Sequence, residues 1–321
     1  MNTTSHRIIF DTDPGVDDAM ALLLALRSPE IDVVGITTVF GNTHVAATTR
    51  NALNLLDFAG RPDIPVAMGA GRPLVHPPGP TAEWVHGDDA MGNIGWTDVN
   101  NPGQRPLAVH AAQYIVDTIM ANPGEITLVA VGPMTNLALA LQLEPRIATN
   151  VREVVIMGGN VVGLGNVSPF AEANIHGDPH AAALLFSAGW RVTMAGLDVT
   201  QATRMDDAYF RELAESGDPF GQFVARIVPF YQQFHHSWYG YEHGAVDTHD
   251  PSAIAYLIDP TLFHGEDYSI VVAVDGPATG MTIADRRGMF YQTPKVRCLM
   301  RVDSERFLMM YKQRLTSNPS F

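Results

Sequence analysis

Short apolar, β-branched runs alternate with longer stretches of helical spacing from residue 7 to residue 195, and this alternation constrains the fold most. Residues 7–10 read as a strand, and 31–39 as a continuous apolar strand of the kind buried on both faces of a parallel sheet. Residues 16–27 read as a helix with Val16, Ala19, Met20, Leu23 and Leu24 on one face, and 43–59 as a second helix. The pattern continues through strand 66–68, helix 107–121 stopping at Asn122-Pro123-Gly124, strand 126–131, helix 136–143, strand 151–157, helix 179–187 and strand 192–195. Such an order predicts an α/β fold: an open, mostly parallel, doubly wound, Rossmann-like sheet with helices on both faces. After about residue 206 the sequence becomes helical and aromatic-rich, with further runs at 268–274 and 296–301 and a terminal helix from 303. No linker, repeat or shift of composition divides the chain, so one domain over residues 1–321 is expected.

Composition narrows the function. Apolar residues make up 46% of the 321 and charged residues 17%, enough to fill a large core. Twenty Lys and Arg against 34 Asp and Glu leave a net charge of −14 with no basic block, which argues against nucleic acid and membrane surfaces but not against a cation. Cys298 is the single cysteine, so neither an intramolecular disulfide nor a multi-cysteine zinc site is available; within the apolar run 296–300 it reads as a small buried hydrophobe. The first ten residues hold only a three-residue apolar run, too short for a signal-peptide core. The apolar stretch 126–143 is interrupted by Gly132-Pro133 and Thr135-Asn136, so a cytoplasmic protein without a membrane span is expected.

Four aspartates fall within eight residues in Asp11-Thr12-Asp13-Pro14-Gly15-Val16-Asp17-Asp18, at a strand-to-helix turn. One or two would serve as helix caps or complement the helix dipole. Four packed this closely repel unless a cation neutralises them, and oxygen ligands select Ca²⁺ or Mg²⁺. An EF-hand is excluded, because counting from Asp11 the sixth residue is Val16 and the twelfth is Leu22. Two long loops, 69–105 and 158–171, should lie near carboxyl ends of strands, where open α/β sheets bind ligands.

The acidic turn resembles the N-terminal fingerprint of the inosine–uridine-preferring nucleoside hydrolase family. Thr37-Thr38-Val39-Phe40-Gly41-Asn42, His86-Gly87, Val131-Gly132-Pro133-Met134-Thr135-Asn136, Met157-Gly158-Gly159, Glu172-Ala173-Asn174 and His249-Asp250-Pro251 extend the resemblance, in the family's order. It implies an open α/β fold, bound Ca²⁺, hydrolysis of the N-glycosidic bond of ribonucleosides, and a homodimer or homotetramer. Asp13, Asp18, Asp250 and the Val131 carbonyl would then ligate Ca²⁺, with Asp13 also the base toward the attacking water. Asp17, Asn166, Glu172 and Asn174 would bind ribose hydroxyls; Glu172 and Asn174, two apart in a strand-like or loop segment, could face one pocket. Met157 would line the apolar face of the sugar, His86 would close over it, and Asn42, beside the substrate, would donate to the aspartates. His249, as a group titrating near neutrality, would protonate the leaving base, and the aromatics of 230–243 would form a mobile wall against it.

Each assignment has a plainer rival. Asp250 before Pro251 could start a helix, Asn166 and Asn42 could shape glycine turns, Met157 could be core, and His86 could be a solvated loop histidine. The aromatic stretch could be a helix contact or a subunit interface. Asp11 and Asp13 after a strand also resemble the nucleophile and acid of a Mg²⁺-dependent haloacid-dehalogenase-type phosphatase. A non-catalytic nucleoside- or sugar-binding protein is the third reading.

Overall fold

The computed structural model describes residues 5–101, 103–289 and 294–316. Six parallel strands follow one another along the chain: β1 (His6–Thr12), β2 (Ile31–Thr38), β3 (Val66–Met68), β4 (Ile126–Ala130), β5 (Glu153–Met157) and β6 (Val192–Ala195). They pair in the order β3-β2-β1-β4-β5-β6, so strand order reverses between β1 and β4. β7 (Arg204–Met205) and β8 (Val246–Asp247) pair antiparallel to each other, apart from this sheet. β9 (Phe263–Val272), β10 (Thr282–Asp285) and β11 (Lys295–Val302) extend the large sheet beyond β6 in the order β11-β9-β10, with β11 parallel to β6 and β9 antiparallel to both its neighbours. The doubly wound expectation holds, with an antiparallel edge added.

Burial on both faces explains the unbroken apolar runs. Ile8 and Phe10 of β1 join one core with Val155 and Met157, while Ile9 joins the other with Val154 and Ile156. The alternation is that of a strand with helices above and below. The helix Val16–Leu26 is buried from Val16 to Ala25, packed against the helices Pro219–Tyr239 and Pro251–Ile258. Each of its buried leucines contributes about 1.5–3 kcal/mol by leaving water. Asp17 and Asp18 are drawn into the interior along with it.

Where boundaries moved, a backbone bond explains the shift. The helix expected over 107–121 begins only at Ala111, because the Leu107 N–H donates to the Val66 carbonyl and the His110 side chain caps Ala112. Residue 151 stays outside β5 because its N–H donates to the Ile147 carbonyl. The run at 268–274 falls on the second half of the longer strand β9, which ends at Val272. Cys298 is fully buried in β11, and burial pushes its thiol up to about 12, so it packs as expected of a hydrophobe. Among the described residues no helix is long and apolar enough to cross a membrane.

Candidate active site

The acidic turn sits at the strand-order reversal. Past β1 the chain runs through Asp13-Pro14-Gly15 into a helix, and past β4 it runs through Val131-Gly132-Pro133. Asp250 arrives from the start of the helix Pro251–Ile258, but its side chain makes no capping bond there. Helix capping therefore does not account for it. Carboxylate oxygens of Asp17, Asp18 and Asp250 lie within 4.8 Å of one another. Asp17, expected toward the ribose, thus lies beside the expected cation ligands Asp18 and Asp250.

Burial raises every member of this cluster. Asp17 and Asp18 are pushed up to about 6, chiefly by loss of water. Asp13 is raised well above the usual carboxylate range by burial and then by Asp18, and Asp250 by burial and then by Asp17, Asp18 and Asp13. Oδ1 of Asp13 and Oδ1 of Asp17 are buried without a hydrogen-bond partner. Crowded, dehydrated carboxylate oxygens with free lone pairs are the donor set of a hard divalent cation, and the residues fit one.

The cluster is held by hydrogen bonds from neighbouring turns. Asp18 Oδ1 accepts from Thr12 Oγ1 at 2.5 Å and from the Asp13 N–H at 3.1 Å, while its Oδ2 accepts from Gly15 N–H and Asn42 Nδ2 at 2.9 Å each. Asn42 also donates its backbone N–H to Asp13 Oδ2 at 2.7 Å and its amide to the Asp13 carbonyl at 3.2 Å. The expectation that Asn42 ties down the aspartates matches this geometry. Glycine is needed twice beside Asp13: a Cβ on Gly41, whose φ is +156°, would lie 2.0 Å from Oδ2, and one on Gly132 would lie 2.4 Å from Oδ1. Asp11 is fully buried beneath the cluster; its Oδ1 accepts from Thr37 and Asn136, and its Oδ2 is buried without a partner. The phosphatase reading is not favoured.

Residues expected on the sugar side converge on one short helix that periodicity did not reveal, Ala173–Gly177. Glu172 is its N-cap, accepting from the Asn174 and Ile175 N–H groups and from Gly159 N–H. Glu172 and Asn174 therefore do not share a face through strand alternation. Asn166 Oδ1 accepts from the Ala173 N–H at 2.9 Å, so it too organises the start of this helix. Asn174 donates to the Val131 carbonyl at 2.8 Å and to the carbonyl and sulfur of Met157, binding the end of β5 to the turn after β4. Met157 is buried core beneath it. Burial lifts Glu172 to about 7.

His86 is buried, not solvated. Its Nδ1 accepts from the Val16 N–H at 3.2 Å and lies 3.9 Å from Asp17 Oδ1, and its ring stacks on Tyr231 at 5.3 Å. Tyr231 in turn donates to Asp17 Oδ2. The aromatic stretch is the last part of the helix Pro219–Tyr239 and the turn after it. Tyr231 and His235 point inward, while Phe234 and Trp238 meet Trp84 from the first long loop.

His249 is seated deeply, with Nδ1 2.9 Å from Thr200 Oγ1 and Nε2 4.0 Å from Asp247 Oδ2. Burial, then His235 and His86, push its imidazole down to about 3, so it rests neutral near pH 7. The expectation of a histidine titrating near neutrality is corrected here: dehydration removes the resting imidazolium. Asp247 was missed. It groups with His235 and His249, accepts from Arg204, and is lifted by burial to about 7. The extended sequence Val246-Asp247-Thr248-His249, with Asp and His two apart, carried the signal. Arg204, 43 residues away, had none.

The chain matches the family model described as inosine-uridine preferring nucleoside hydrolase over residues 8–309. It is 41% identical over 298 residues to an inosine-uridine preferring nucleoside hydrolase of Leishmania major, covering 90% of each chain. It is 38% identical over 287 residues to a probable uridine nucleosidase of Oryza sativa subsp. japonica, covering 89% of this chain and 87% of that one. Its structure superposes on a solved plant nucleoside hydrolase with a TM-score of 0.93 at 36% identity, covering 98% of this chain and 99% of the other. With an acidic cluster at the strand-order reversal and these matches along the chain, the protein belongs to the inosine–uridine preferring nucleoside hydrolase family, hydrolases that act on N-glycosyl bonds.

Proposed function

We propose that the enzyme cleaves ribonucleosides to ribose and free base with Ca²⁺ as its resident cation. The observation that carries the reading is the buried carboxylate cluster with two unpaired oxygens at the strand-order reversal. Asp13, Asp18, Asp250 and the Val131 carbonyl would hold the ion, with Asp17 close enough to join them. When bound, the ion supplies positive charge that offsets carboxylate repulsion and makes water at the site more acidic.

Asp13 is the base. Its Oδ2 is fixed by the Asn42 N–H, its Oδ1 is unpaired, and its raised proton affinity suits it to take a proton from the attacking water. Asp17, Asn166, Glu172 and Asn174 orient the ribose hydroxyls, and Met157 supports Asn174 from below. His86 braces the acidic helix start and excludes water from its flank. His249, neutral at rest, relays a proton to the departing base from the other side of the scissile bond, taking up a proton from the Asp247 carboxyl, which burial keeps partly protonated near pH 7, so that Asp247 ends as the carboxylate. This reading extends to nucleoside salvage in the cytoplasm by a homodimer or homotetramer; light scattering on the purified protein tests the assembly.

Inosine, uridine, adenosine, guanosine and cytidine, assayed for release of reducing sugar, test the reaction. Ribose release from at least one supports it. Phosphate release from phosphomonoesters alone, or nucleoside binding without turnover, would overturn it.

A further inference from the structure

A second concave site lies at the amino-terminal ends of β6 and β11, at the opposite end of the sheet from the carboxylate cluster. It encloses about 470 Å³ and is lined by Arg191, Thr193, Tyr256, Asp267, Lys295 and Arg297 together with Val192. The volume lies within the range of small-molecule pockets, roughly 300–1,000 Å³.

Strand alternation places these side chains on one face. Val192 and Val296 are register partners in parallel strands, and both turn into the same core. Arg191, Thr193, Lys295 and Arg297 therefore face the other way, and carrying the register back one residue sets Lys295 beside Arg191. Arg297 pairs with Asp267 on β9 at 3.3 Å, and Gly265 leaves its side chain room: a Cβ there would lie 2.6 Å from Nε. Among the described residues no carboxylate lies within ion-pair distance of Arg191 or Lys295. Both are exposed cations; Glu153 flanks Arg191 on the β5 side in the same register, while the gap between Arg191 and Lys295 on the β11 side is where an anion would meet both charges at once. In a chain of net charge −14, three of its 20 Lys and Arg meet in this one hollow against a single acid.

We propose that this pocket binds a phosphate-bearing small molecule. Arg191 and Lys295 supply charge-assisted donors to the phosphate oxygens and Thr193 lies on the floor between the strands. The aromatic ring of Tyr256 forms the wall against which the rest of the molecule packs. Tyr256 belongs to the helix that begins after Asp250, so the occupant rests on the far end of the element that carries a proposed cation ligand. The pocket is separate from the active site: none of its lining residues belongs to the carboxylate cluster, and the four residues of β6 alone put about 10 Å between the ends of that strand.

Calorimetric titration of the full chain with inorganic phosphate, and separately with glycerol 2-phosphate, tests this at fixed ionic strength. Saturable binding of either is expected, with the ester bound more tightly if the natural occupant is an ester and phosphate alone bound if it is the free ion. Arg191→Gln with Lys295→Gln should weaken binding at least ~10-fold, the loss of one charge-assisted hydrogen bond being worth that much. Arg191→Glu sets an acid beside Lys295; it should abolish binding and leave nucleoside hydrolysis intact. Absence of saturable binding below about 10 mM, the weak end of ordinary affinities, would overturn the proposal. Binding that survives Arg191→Glu, or that only competes with nucleoside, would overturn it as well by placing the anion elsewhere.

Discussion

Asp13 combines an unpaired oxygen with a fixed one, and this makes it the side chain whose chemistry is easiest to isolate. Asp13→Asn keeps the shape but removes the proton acceptor, so turnover should fall at least ~10²-fold, the lower end for loss of a general base. Asp11→Asn is the contrast: its Oδ1 is engaged by Thr37 and Asn136 beneath the cluster, and turnover should fall much less than with Asp13→Asn. Single-turnover rates on the two variants decide between them. His249→Ala should lower hydrolysis of inosine by ~10²–10⁴-fold, as for other lost general acids, and leave a nitrophenyl riboside nearly unaffected because its phenolate departs without a proton. Equal losses on both substrates would reduce His249 to a support for Asp250. The four aspartates and His249-Asp250 could be read from the chain because crowded acids and short spacings are local facts. The neutral state of His249 could not, because it follows from burial, with His235 and the distant His86 adding to it.

At the level of single elements, the turn after β4 has a role that its length hides. Gly132 lies under Asp13, and Gly132→Ala would press a methyl group against Oδ1 and against Val39. The expected result is a folded protein whose kcat falls by ~10²-fold, the usual consequence of displacing a reacting group by about 1 Å. Circular dichroism and steady-state kinetics on the same sample check both halves. Strands and long helices of the first 195 residues were legible, since each buries a periodic apolar set. The helix Ala173–Gly177 was not, because five residues show no period; it is held by the Glu172 and Asn166 side chains bonding to its first N–H groups. The pairing of β7 with β8 was equally hidden, two residues on each side joined across the helices Asp207–Glu215 and Pro219–Tyr239.

Across the whole molecule, buried acids shape stability as well as chemistry. Purified protein should carry about one Ca²⁺ per chain, one cluster implying one ion, and strong chelator should abolish activity that added Ca²⁺ restores. Elemental analysis beside the activity assay measures both. Glu172 and Asp247 are held at about 7 in the folded chain, so folded protein binds more protons than unfolded protein from there down to the ordinary carboxylate range. The melting temperature of metal-free protein should therefore rise as pH falls from about 8 to about 7, where histidines of the unfolded chain are still mostly neutral. Below that point His86, His235 and His249, depressed by burial, oppose the trend. Saturating Ca²⁺ should remove the share that Asp17 and Asp18 add at the ion and leave that of Glu172 and Asp247 in place. The sheet has a further consequence for how the molecule comes into being. Asp13 and Asp18 leave the ribosome among the first residues, whereas Asp250 follows more than two hundred residues later, after all six strands of the parallel half. A nascent chain can close its parallel sheet before its last acidic partner exists, so calcium should protect only chains extended past that helix from proteolysis during synthesis.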